Sequence, residues 1–206
     1  MAEKANKVKF NLKNTHYALL TISENGTPTF GTPVPMPGSV SISLDANGEP
    51  ENFYADGGVY YVINNNCGYD GDLELALIPE SFRTDVLKET LDSKGVLIEN
   101  SEVELAAFAL LFEFDGDQKH IRHVLYNCSA SRPGIEGKTN EDSKEVQTEK
   151  LSLKAVPLAN GMVKAKTGNT TDATTYADWY KAVYMPVAES DAATQSAAKP
   201  AKSVKE

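Results

Sequence analysis

Along most of the chain, apolar and polar positions alternate with a period of two, the signature of strands that bury one face. Val40, Ile42 and Leu44 alternate with Ser39, Ser41 and Ser43. Asp45-Ala46-Asn47-Gly48 then offers hairpin-turn chemistry, because Asn-Gly takes positive φ cheaply, and a return strand is expected near 52–55. Asp56-Gly57-Gly58 turns the chain again into a strand over 59–64. Leu73, Leu75 and Leu77 alternate with Asp72, Glu74 and Ala76. Strands are also expected over 104–114 and 120–127, across the turn Asp115-Gly116-Asp117, and as a last hairpin of 147–158 with 162–167 around Asn160-Gly161. Near the start, 8–12 and 16–22 add one or two more. Many short strands joined by tight turns predict a mainly β fold, an antiparallel sandwich or barrel.

Two helices interrupt the pattern. Pro79 and Glu80 suit a first helical turn, Phe82, Val86, Leu87 and Leu91 form an apolar stripe, and Lys94-Gly95 stops it. The second opens at Thr171-Asp172, carries Tyr176, Trp179, Tyr180 and Val183 on one face, and ends at Pro186. The only Trp of the chain lies there, so this helix is expected against a sheet face.

Three segments read as resisting packing. Ser23–Gly38 holds Pro28, Pro33, Pro35 and Pro37, and prolines at a spacing of two favour an extended, semi-rigid arm. Residues 129–145 read as a polar loop, and 187–206, rich in Ala, Ser and Lys, as a flexible tail. The sequence thus predicts one domain over 1–186 plus that tail.

Composition narrows the functions. With 41% apolar residues among 206, the chain can bury a core, and no run is long enough for a membrane helix. The basic residues near the start have no apolar stretch behind them, so no secretory signal is expected. Cys67 and Cys128 lack metal-type spacing, and a reduced setting is the default. A net charge of −9 argues against a protein that wraps phosphates through a basic stripe. It is compatible with a protein past which DNA slides, since an acidic surface repels phosphate.

Candidate chemistry is sparse. His120 and His123, three apart on an expected strand, point to opposite faces and cannot share a metal. Asp70, Asp72 and Glu74 line one face, as a calcium site, a solvated strand face or an acidic channel wall would require. Asp45-Ala46-Asn47-Gly48-Glu49 has its glycine too early for a calcium loop. No nucleophile, base, metal or cofactor can be named, so no enzyme is predicted. The strand 104–114 is apolar on both faces, with Phe108, Leu110, Phe112 and Phe114 on one and Leu105, Ala107, Ala109 and Leu111 on the other. Either the first helix covers it or a neighbouring subunit does.

Several segments in order resemble the major tail proteins of long, non-contractile-tailed phages. They are Lys7-Val8-Lys9-Phe10-Asn11-Leu12-Lys13-Asn14 with His16-Tyr17; Tyr54-Ala55-Asp56 followed by Tyr60; Gly68-Tyr69-Asp70-Gly71-Asp72-Leu73-Glu74-Leu75-Ala76 leading to Ile78-Pro79-Glu80-Ser81-Phe82; Tyr126-Asn127-Cys128-Ser129-Ala130-Ser131-Arg132-Pro133-Gly134 with Gly137-Lys138-Thr139; and Thr148-Glu149. The resemblance implies a tail-tube β-sandwich or barrel with a flanking helix. It implies hexameric rings stacked into a tube that conducts DNA, without sequence-specific binding or catalysis. The implied partners are copies of the chain itself, a tape-measure protein, a tail terminator and distal tail proteins, in the virion tail after assembly in the host cytoplasm. Under it, Pro28, Phe30, Pro33, Pro35 and Pro37 form an inter-subunit arm; Asp70, Asp72 and Glu74 face the channel; and Phe108, Leu110, Phe112 and Phe114 form an inter-subunit or core strand. The competing readings are a monomeric β-sandwich for adhesion or capsid decoration, and a hydrolase built around His120 or His123.

Overall fold

The computed structural model describes residues 4–140 and 144–186. The elements in chain order are β1 (Lys9–Ile22), β2 (Pro28–Phe30), β3 (Val34–Pro35), β4 (Ser39–Asn47), β5 (Glu51–Ala55), β6 (Gly58–Ile63), β7 (Gly68–Leu75) and α1 (Glu80–Asp85). They continue with β8 (Thr90–Leu91), β9 (Leu97–Ile98), β10 (Phe108–Gly116), β11 (Ile121–Ala130), β12 (Glu149–Ala155), β13 (Lys164–Lys166) and α2 (Ala173–Asp178). One antiparallel sheet runs β2-β1-β10-β11-β12-β7-β4, with β3 also on β1 and β13 also on β11.

This sheet curls on itself. β4 approaches β1 where the Ser39 hydroxyl donates to Thr15 Oγ1 at 2.6 Å, but β1 and β4 form no ladder, so the curl stays open. It is not a closed barrel. Inside the curl lie Tyr17, Leu73, Leu75, Phe108, Leu110 and Leu151, plugged by Phe82, Val86 and Leu87. The Phe82 ring meets Tyr17 and Phe108 edge-on at 5.2 and 5.3 Å, the arrangement that aromatic quadrupoles favour. Outside it, Ala18, Ala109, Leu111, Val124 and Tyr126 pack under Leu158, Trp179 and Val183. Successive residues of β1 and β10 therefore serve two cores, as a strand covered on both faces must.

Several expectations need correction. Segments 8–12 and 16–22 are one strand, β1, with register shifts at Phe10/Leu12 and Lys13/His16. Asn11 and Asn14 absorb the shifts at φ 52°, a left-handed conformation asparagine tolerates well. Asp45-Ala46-Asn47 is not a turn: β4 runs on through Asn47 and pairs with β7. The expected last hairpin closes only at its tip, where the Leu158 amide donates to Met162 O at 2.9 Å, because β12 and β13 both lie on β11. The first helix ends at Asp85. Lys88 turns left-handed at φ 60°, and the rest folds into the β8–β9 hairpin around Asp92, which leaves Leu91 exposed. The second helix is one short element capped by Asp172, whose carboxylate accepts from the Thr175 amide at 2.9 Å. Trp179 and Val183 follow it and are buried as expected.

The proline-rich segment does not stand off the body. Phe30, Thr29 and Pro28 pair with Leu20, Thr21 and Ile22, and Val34 and Pro35 pair with Tyr17 and His16. Met36 is buried, and its amide donates to Thr15 O at 2.7 Å. Prolines need no donor at a sheet margin, and the apolar residues between them turn inward. Ser129 and Ala130, expected in a loop, complete β11. The expected tail, 187–206, lies outside the described residues.

Candidate functional site

The feature that stands clear of the body is the β5–β6 hairpin. Tyr54 pairs with Val59 and Ala55 with Gly58 around a two-residue turn, Asp56-Gly57. Both turn residues have positive φ, 51° and 80°, as a primed hairpin turn requires. At the root, the Cys67 amide donates to Asn47 O at 2.9 Å, and Gly68, at φ 103°, sits so close to the Ala155 carbonyl that no side chain would fit. β5 and β6 ladder only with each other. Phe53, Tyr54, Val59, Tyr60, Tyr61, Val62 and Ile63 are all at least 42% exposed, so both faces of the ribbon meet solvent. A two-stranded ribbon of this kind is marginal alone, and an exposed apolar patch of this extent marks a contact surface.

The acidic trio sits on β7 as expected, on its solvent face. Register places Glu74 between Ser41 and Lys150, Asp72 between Ser43 and Ser152, and Asp70 between Asp45 and Lys154. Thr148 and Ser41 donate to Glu74 at 2.6 and 2.8 Å, and these bonds hold its carboxyl below the usual range. Ser152 donates to Asp72 at 2.7 Å and Asn47 Nδ2 to Asp70 at 2.7 Å. The face is thus a hydrogen-bonded ladder of acids, hydroxyls and lysines rather than a purely acidic wall. No group of three or more His, Cys, Asp or Glu side chains among the described residues could hold a metal ion.

Phe108, Leu110 and Phe112 are 0, 1 and 5% exposed, covered by α1 and its neighbours; of the four, only Phe114 is partly open. Phe108, Leu110 and Phe112 therefore belong to the core without help from a neighbouring subunit, while Phe114 packs on that core with part of its ring open.

The histidines lie apart. His120 precedes β11 and its Nδ1 meets Asp115 at 2.6 Å. His123 stacks on Phe112 at 5.1 Å with Phe114 edge-on, and burial followed by nearby lysines pushes its pKa down to about 4. On the outer side, Glu113 is almost fully buried. It accepts from Asn14 at 2.6 Å, Arg122 Nε at 3.0 Å and the Tyr180 hydroxyl at 3.2 Å, while Arg122 lies 3.9 Å over the Tyr176 ring. This network ties the α2 segment to the sheet. Both cysteines are free thiols, and burial raises that of Cys128 to about 12.

Sequence reasoning placed strands at 52–55 and 59–64 but missed that the hairpin stands alone. A partial signal was present: Phe53-Tyr54-Ala55 and Val59-Tyr60-Tyr61-Val62-Ile63 are apolar runs without alternation. In comparisons with known proteins, no family model matches this chain and no characterised protein matches it in sequence.

Proposed function

We propose that this chain is a structural subunit of a phage tail tube, of the tail-tube β type, polymerising as stacked, hexameric rings around a DNA channel. The observation that carries the reading is the solvated β5–β6 hairpin, which presents aromatic and aliphatic side chains that nothing in its own ladder covers. A copy of the same chain, present at high local concentration in a polymer, supplies the cover. The hairpin takes the bridging role assigned by resemblance to the proline-rich segment. The net charge of −9 supports a conduit that does not hold DNA. The β4–β7–β12 face with Asp70, Asp72 and Glu74 is the surface assigned to the channel. The reading includes no catalysis and no cofactor. Its further partners are a tape-measure protein, a terminator and distal tail proteins, and its place is the virion tail.

Negative-stain imaging of the concentrated protein tests this: rings or tubes are expected. Replacing 51–63 by a short Gly-Ser linker should abolish them while changing thermal stability little, because the removed side chains are exposed. A species that stays monomeric at every concentration and salt would instead favour a monomeric adhesion or capsid-decoration module, with the hairpin as its binding finger.

A further inference from the structure

The hairpin carries one sign of charge. Between residues 48 and 66 stand Glu49, Glu51 and Asp56 and no Lys or Arg. Its acceptor must therefore tolerate three carboxylates as well as tyrosine rings.

Two places on the body contrast most in charge, and they lie at opposite ends of the sheet. Register fixes this, because Leu75 opposes Glu149 at one end of the β7–β12 pair and Tyr69 opposes Ala155 at the other. At the Leu75 end is a concavity of about 400 Å³ whose charged lining is Glu74, Glu99, Glu136 and Glu149 against Arg83 and Lys150. Arg83 is already engaged by Glu89 and Glu149, at 3.2 and 2.8 Å. An acidic finger would be repelled there.

The Tyr69 end is the reverse. Lys9 Nζ lies 4.5 Å over the Phe114 ring, and Lys164 Nζ 4.2 Å over the Tyr69 ring. Lys166 stands opposite His123 in the β11–β13 register. All three lysines are exposed, and their fields converge on His123, whose pKa all three depress. In a chain of net charge −9 this is a cationic rim around an aromatic floor.

We propose that the lysine–aromatic end formed by Lys9, Lys164 and Lys166 with Tyr69 and Phe114 receives the β5–β6 hairpin of a second copy. The proposal rests on the assembly reading above and names its contact. It also sets the direction. The hairpin roots at Asn47 and Gly68, one residue before Tyr69, so root and lysine end share a level. A like-oriented copy stacked ahead presents its acidic concavity, whereas a copy alongside presents its lysines. The hairpin is thus a side-to-side clasp between neighbours in one ring. Rings of Tyr54, Tyr60 and Tyr61 meet the aromatic floor, and Glu49 and Glu51 meet the lysines.

Charge exchange tests it. Lys164→Glu with Lys166→Glu should raise the concentration needed for assembly at least roughly tenfold, and Glu49→Lys with Glu51→Lys should do the same. All four changes in one chain should restore assembly. Zero-length carbodiimide coupling of assembled wild-type protein should yield an intermolecular Glu51–Lys164 link. Wild-type assembly that neither pair weakens, or loss that the fourfold variant does not recover, overturns the clasp and leaves the tube reading standing. A wild-type chain that never assembles overturns both.

Discussion

Among single residues, the buried groups carry the sharpest consequences. Glu113 is 1% exposed and holds three donors from β1, β11 and the α2 segment. Removing it as Glu113→Ala leaves the Arg122 guanidinium without its anion under two tyrosine rings. We expect a loss of roughly 3–5 kcal/mol in chemical denaturation. His123 makes stability depend on pH. Its folded pKa of about 4 lies below the ordinary 6.5, so the unfolded chain takes up the proton first. That contribution is intact above about pH 6.5 and is lost as pH falls toward 4, up to roughly 3 kcal/mol in all. Carboxylates add their own acid dependence, so the comparison is with His123→Phe, which keeps the stack on Phe112. The variant should lose less stability than wild type between pH 7 and 4 when thermal midpoints are compared; parallel curves would contradict the assignment.

Elements show where periodicity speaks and where it falls silent. The alternation of Ile42 and Leu44 and of Leu73 and Leu75 marked β4 and β7, because each strand has one wet face, while Val40, at a register shift of β4, is exposed. The doubly apolar run from Phe108 marked a covered strand, and the structure supplies the cover from α1 on one side and the α2 segment on the other. Pairing partners were not legible. Asn47-Gly48 has the chemistry of a turn, but Gly48 instead lets the chain pass within contact of Asn65 and Cys67 at the hairpin root. Gly71 was equally opaque: a Cβ there would stand 1.9 Å from the Ser43 carbonyl, so β4 can lie on β7 only because position 71 has no side chain. Gly71→Val should therefore break the β4–β7 ladder, read as lost protection of β4 amides in hydrogen exchange. The prolines of 28–37 suggested a projecting arm because their missing donors were weighed and the inward Val34 and Met36 were not. The acidic trio was placed correctly on one face, while its interleaving with Lys150 and Lys154 depended on a strand partner far along the chain.

For the whole molecule, the most extended apolar surface left in water among the described residues is the β5–β6 ribbon. The curled sheet shelters its aromatic strand and pairs its buried Glu113. What it leaves in water is a hairpin of tyrosines and valines rooted beside a ring of lysines. Under the proposed assembly, copies cover one another's hairpins. Hydrogen exchange of residues 51–63 in dilute and in concentrated protein examines this most directly. The account predicts fast exchange in the dilute chain and strong protection once the protein is concentrated, with the β10 amides slow in both. Equally fast exchange of the hairpin at every concentration, in protein whose sedimentation never departs from a monomer, would contradict it.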